Sequence, residues 1–208
     1  MSDIKKIEQH YSLDERPFLE KVRGFCQLVD DRYSPYLTDF LNPREIQIVE
    51  ELAHYYNLKF FVSSTLESEE YGRVILAPEY YELEEDDFEI KRLEISYARQ
   101  FNKLTHPKVL GALINQLGLD RQVFGDIILD EEGRVQFSIA SHLASYAIMT
   151  ITKIGNVSVT LKEVSKDDWI SNQEKYSKTF VLLSSMRLDN VLATVLNLSR
   201  SNTLKLIA

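Results

Sequence analysis

Five side chains near the end of the chain have the chemistry of a phosphate cradle: Arg187, Ser199, Arg200, Ser201 and Lys205. Guanidinium and ammonium groups make charge-assisted hydrogen bonds to phosphate oxygens, and hydroxyls beside the open amides of a helix start add further donors. Nothing else in the sequence gathers so much chemistry of one kind. His10, His54, His106 and His142 are scattered, and none stands at zinc-ligand spacing with another ligand. There is no Gly-x-Ser-x-Gly elbow and no Walker-type phosphate loop. Asp126, after Gly125 and with His106 and Arg121 nearby in sequence, is the most suggestive acid, but a tight turn capped by its carboxylate accounts for the same residues. The acidic run Glu84-Glu85-Asp86-Asp87 lacks the alternating spacing and glycine of a calcium loop and reads as a solvated surface segment. No catalytic residue, metal site or cofactor is assigned.

The cradle needs two helices to position it. Leu188, Val191, Leu192, Val195 and Leu196 recur at helical spacing, Asn197 is placed to end that helix, and Leu198 follows. Ser199 then caps a second helix whose apolar side is Leu204, Leu206 and Ile207. A helical hairpin that merely packs on its neighbour would show the same periodicity.

Charge separates this tail from the rest. The 208 residues carry a formal net charge of −8, which argues against a general nucleic-acid binder. Within residues 171–208, however, five cations against two anions leave +3, and residues 1–170 hold −11. Hydrophobic content of 44% suits a folded protein, and Cys26 reads as a core residue among Phe25, Leu28 and Val29. No apolar run is long enough to cross a bilayer and the first residues lack an apolar signal core, so a cytoplasmic, membrane-free protein is expected.

The expected fold class is α+β. Residues 1–58 read as helical: Ser12 and Glu15 stand at capping-box spacing, Phe18, Val22, Phe25, Cys26 and Val29 form one stripe, and Asn42-Pro43-Arg44-Glu45 starts a second helix. Residues 59–164 read as the central domain. It opens with strands at 59–63 and 73–77 separated by a polar loop, Thr65 to Gly72. From about Ile90 the order is strand, helix 107–117, strand 126–129, strand 134–140, helix 141–152 and strand 157–164. That is the ferredoxin-like βαββαβ unit, which has an RNA-recognition version with aromatics on its sheet. The third strand here offers one aromatic, Phe137. Residues 165–180, with Trp169, read as a linker, and 181–208 as the hairpin module.

Two resemblances rest on quoted residues. The tail, with Arg187-Leu188-Asp189, an apolar helix, Ser199-Arg200-Ser201 and a closing Leu206-Ile207, resembles the first half of the S-four (alpha-L) RNA-binding domain. That resemblance adds Asp189 to the RNA-binding set. In the family a glycine turn and a strand pair follow, whereas the chain stops at Ala208, so packing of Leu188, Leu192, Leu196, Leu204 and Ile207 on the body or on a neighbouring molecule is expected to hold the hairpin. The stretch from Leu104 to Ile128, with His106, Gly111, Gly118, Arg121, Gly125 and Asp126, resembles the YlmH family, with Pro107 and Lys108 in place of that family's Arg-Asp.

The YlmH resemblance implies a non-enzymatic RNA-binding factor that acts on the large ribosomal subunit in quality control or rescue. Its partners would be ribosomal RNA, tRNA and that subunit, and its gene would lie near cell-division genes in bacteria. Arg73, His106, Lys108 and Arg121 form a secondary RNA-contact set. The alternatives are a protein-interaction scaffold linked to cell division and an RNA-modifying enzyme using an acid such as Asp126. Tyrosyl-tRNA synthetases and pseudouridine synthases carry a similar tail, but the chain lacks the former's signatures, and Arg187-Leu188-Asp189 begins a helix rather than the latter's catalytic strand.

Overall fold

A computed structural model describes residues 11–64, 69–170 and 180–207, with the side chains of Glu85 and Arg200 excepted. His10, most of the polar loop after residue 64, residues 171–179 of the linker and Ala208 lie outside the described residues. The chain forms two compact units, Met1–Asn172 and Gln173–Ala208.

The larger unit begins with α1 (Arg16–Arg32), β1 (Tyr36–Leu41), α2 (Pro43–Tyr55), β2 (Lys59–Val62) and β3 (Gly72–Ala77). Leu19, Val22, Cys26 and Val29 recur on one face of α1 and are all buried. Helix α2 starts where its sequence says it should: Asn42 Oδ1 accepts from the Glu45 amide, and the Glu45 carboxylate accepts from the Asn42 amide, both at 2.9 Å. Of the Ser12/Glu15 pair, one half of such a box forms, the Ser12 amide donating to Glu15. Arg44 donates to the same carboxylate at 2.6 Å, ties the starts of the two helices together, and with the Ser12 amide holds the Glu15 carboxyl down at about 2.

The helical reading of residues 1–58 holds for α1 and α2 but lacks β1. This strand buries Phe40 and Leu41, which point to opposite faces, so no apolar-polar alternation marks it. It pairs antiparallel with β3, which also pairs with β2, in the order β1-β3-β2. Strands β2 and β3 therefore complete a layer begun before residue 58.

The second layer has the expected order: β4 (Ile90–Ser96), α3 (His106–Leu117), β5 (Phe124–Leu129), β6 (Val135–Ala140), α4 (Ser141–Thr150), the hairpin β7 (Lys153–Ile154) and β8 (Val157–Ser158), and β9 (Thr160–Glu163). The strands run β5-β6-β4-β9, all antiparallel, as in the ferredoxin-like sheet. Leu93, Ile95, Phe124, Phe137 and Ile139 face Val109, Leu113, Ala144 and Ala147 of the two helices in one core. The last expected strand is split. Val157 and Ser158 turn back on β7, and β9 alone joins the sheet. Gly118 closes α3 at φ 63°, the left-handed conformation that glycine adopts without strain.

The smaller unit holds α5 (Leu188–Val195) and α6 (Arg200–Ile207), the expected pair. Asn197 sits at φ 52°, and the Leu198 amide reaches back to the Ala193 carbonyl at 2.9 Å, a Schellman ending. Within this unit the apolar face is not enclosed: Leu188 is 59% exposed, Leu196 49%, Leu204 51% and Ile207 41%. Leu192 is half-buried. Helices of eight residues each share a narrow contact, and what the hairpin buries instead is Asp189 and Thr203.

Gly125 lies where the two layers meet. A Cβ there would come within 2.7 Å of the Phe40 ring and 2.9 Å of Ser138 Cβ. Gly125→Ala is expected to destabilise the protein by about 1–3 kcal/mol. By contrast Gly24→Ala, in α1 with nothing within 4 Å of the new Cβ, is expected to stabilise by up to about 1 kcal/mol. Urea unfolding of the two variants checks this contrast.

Candidate nucleic-acid interface

In the hairpin, Asp189 and Arg187 are a unit. The carboxylate is buried and takes a forked pair of hydrogen bonds from Arg187 Nε at 3.0 Å and its terminal nitrogen at 3.3 Å. That bond raises the Arg187 pKa and holds an otherwise exposed guanidinium in one orientation. Asp189 thus stands behind Arg187 as a positioning group. Ser199 caps α6 through the Asn202 amide at 3.4 Å, and its hydroxyl lies 3.1 Å from that of Ser201. Both serines and Lys205 are exposed. Arg200 occupies the first position of α6, and its side chain lies outside the described residues.

The secondary set does not assemble. Arg73 is 5% exposed, and its guanidinium donates to the carbonyls of Thr38, Phe88 and Glu89. Those bonds join the first layer to the start of β4 and leave Arg73 enclosed. Arg121 lies 4.2 Å over the Tyr71 ring and donates to the Phe124 carbonyl. Asp126 receives the amides of Glu70 at 2.6 Å and Tyr71 at 3.3 Å. The tight turn expected at Gly125-Asp126 does not form, because both residues lie within β5; the carboxylate instead holds the amides of a segment far away in sequence, and Arg121, Gly125 and Asp126 together form a seam between layers. His106 and Lys108, in the first turn of α3, are exposed.

The sheet face that carries RNA in recognition domains is filled in this protein. Arg92, Glu94, Gln136 and Ser138 point there, and each is less than 9% exposed. Segment 165–170 lies across them: the Ile170 amide donates to Gln136 at 2.9 Å, Gln136 donates to the Asp168 carbonyl at 3.0 Å, and the Trp169 ring sits 3.9 Å from the Arg92 guanidinium. On its other side Arg92 pairs with Glu69, which also accepts from Ser138 at 3.1 Å. Burial pushes the Glu94 carboxyl up, but hydrogen bonds from Gln136 and Arg134 outweigh it and hold the group below its ordinary value.

Sequence reading missed Arg92 and Glu69 and left Trp169 in a linker. One signal was present: Arg92 and Glu94 share the strand face opposite Leu93 and Ile95. The acidic run is likewise structural at Asp87, whose carboxylate takes the Tyr81 hydroxyl and the Glu84 amide and sits below its ordinary pKa through the Tyr81 bond. Among the described residues, no three His, Cys, Asp or Glu side chains are placed to hold a metal ion. No helix of the described residues is long and apolar enough to cross a membrane.

Residues 84–168 match the family model described as "Putative RNA-binding domain in YlmH", a span that takes in β4 to β9 and most of the covering segment. The chain is 33% identical to the "Ribosome-associated protein quality control protein P2" of Bacillus subtilis (strain 168) over 207 residues, covering 100% of this chain and 79% of that protein. Its structure is similar to that of "Cell division protein ylmH from Streptococcus pneumoniae", with a TM-score of 0.70, 41% sequence identity, and coverage of 78% of this chain and 98% of that one.

Two expected outcomes test the site geometry. Arg92→Ala strands a buried Glu69 carboxylate and should cost about 3–5 kcal/mol, while the Arg92→Met/Glu69→Gln double variant should recover most of it. Unfolding followed at Trp169, the chain's one tryptophan, reads both. Asp126→Asn weakens the grip on residues 70–71 and should cost about 1–2 kcal/mol of stability without affecting any turnover. A peptidyl-tRNA hydrolysis assay decides the second point: activity in the wild type that is lost in Asp126→Asn would make Asp126 a catalytic acid.

Proposed function

The chain belongs to the YlmH family, and from that premise we propose that it is a non-enzymatic RNA-binding factor of ribosome quality control, acting on the large ribosomal subunit through ribosomal RNA, peptidyl-tRNA or both. The observation that carries the reading is the forked Arg187–Asp189 pair, an exposed guanidinium aimed by a buried carboxylate, in a tail whose net charge is positive although the whole chain is acidic. Arginine held in this way loses little rotamer entropy when it takes a phosphate. Ser199, Arg200, Ser201 and Lys205, around the start and along α6, supply the remaining donors. The names of the relatives support the setting, and the match over 84–168 supports RNA as the partner.

A protein-scaffold reading has one observation in its favour, the exposed Leu188, Leu204 and Leu206 of the hairpin. Salt separates the two, because phosphate contacts release counterions and apolar contacts do not. In cosedimentation with large ribosomal subunits, the Arg187→Ala/Lys205→Ala variant should bind about tenfold more weakly and reduce the salt slope by about 1–2. Asp189→Asn should weaken binding in the wild-type background but add little to Arg187→Ala, since it acts through that side chain. Binding that ignores both salt and Arg187→Ala would overturn the RNA reading in favour of the scaffold.

A further inference from the structure

The ferredoxin-like layer has a second surface, on the side of its helices, whose charge is unlike the acidic bulk of the chain. No aspartate or glutamate occurs in residues 95–119 or 133–162, although the chain has 32 of them. These two stretches build α3, α4 and the β7–β8 hairpin, so an acidic protein presents there a surface free of carboxylates. Between α3 and β7–β8 lies an open groove of about 530 Å³, within the size range of small-molecule and nucleotide sites. Lys103 and Lys108 line it. Among the described residues neither has a carboxylate partner.

The other lining residues suit a base rather than an anion alone. Ala112 and Val157 are half-exposed apolar walls over the buried Leu104 and Ile154, and Asn115 and Asn156 bring carboxamides that can both donate and accept. Gly111 and Gly155 keep the walls low; a Cβ at either would meet nothing within 4 Å. The sheet face that an RNA-recognition domain would use is covered by residues 165–170, and Phe137 points to the opposite side, into the core.

We propose that this groove binds a segment of single-stranded RNA, with Lys103 and Lys108 on phosphates, the Asn115 and Asn156 carboxamides at base edges, and Ala112 and Val157 against a base face. The proposal rests on the reading that the chain binds RNA and adds a contact in the body to the one in the hairpin. Lys103, Asn156 and Val157 fall outside the motifs read from the sequence.

The test uses the full chain and a fluorescein-labelled oligouridylate of about twelve nucleotides, with binding read by fluorescence anisotropy across a salt series. Lys103→Ala/Lys108→Ala should weaken binding about tenfold and reduce the salt slope by about 1.4, two phosphates at about 0.7 each. Gly111→Leu fills the groove at a helix position where leucine is favoured over glycine, and should weaken binding about fivefold with the slope unchanged. Trp169 emission should stay constant on RNA addition, and an RNA duplex should compete poorly. Wild-type affinity in both groove variants, with binding still lost in Arg187→Ala/Lys205→Ala, would overturn the groove and leave the hairpin reading intact. A red shift of Trp169 or equal competition by duplex would also overturn it, in favour of the sheet face or of shape recognition. Absence of any binding by the wild type would remove both readings together.

Discussion

Arg92 leaves β4 on the sheet face opposite the helices and is held there between the Glu69 carboxylate and the Trp169 ring. An ion pair this enclosed has lost most of its hydration, and its Coulomb attraction offsets that cost only while both partners and their hydrogen bonds stay in place. The pair therefore acts less as a source of stability than as a constraint. Glu69 brings the segment before β3 onto the second sheet, where Asp126 takes the next two amides and Gly125 lets Phe40 approach. Trp169 and Ile170 bring the start of the linker onto the same face. Two separate layers and the departing chain are registered by one polar cluster, and none of the three can shift without exposing a charge.

That registration decides which surfaces are left for RNA. A ferredoxin-like sheet ordinarily offers its open face, but polar side chains and the covering segment occupy it in this protein. What remains is a carboxylate-free surface around α3 and β7–β8, and a basic hairpin in a separate unit. Both carry cations set apart from the acidic bulk. A net charge of −8 is then no obstacle to RNA binding, because screening limits the reach of the acidic residues to roughly 8–10 Å at physiological salt. The same bulk would discourage indiscriminate binding, since a phosphate backbone can approach favourably from few directions.

The sequence by itself determined the local elements. The Asn42/Glu45 capping box, the Asn197 stop and Ser199 cap of the hairpin, and the strand-helix order of residues 90–163 all depend on neighbours a few residues apart, where propensity and periodicity act directly. It also singled out the proposed hairpin cradle, because the cations and hydroxyls of Arg187, Ser199, Arg200, Ser201 and Lys205 are concentrated in one short stretch. Only the tertiary structure decided the rest. Strand β1 had no alternation to reveal it, since it is buried on both faces. Arg73 and Arg121 read as surface cations, yet partners brought from Thr38 to Glu89 and from Tyr71 make one a buried tie and the other part of a seam. Whether a charged side chain meets RNA or is enclosed depends on which distant segment folds over it, and that is settled by burial and hydrogen-bond satisfaction across the whole chain rather than by the residue's own neighbourhood.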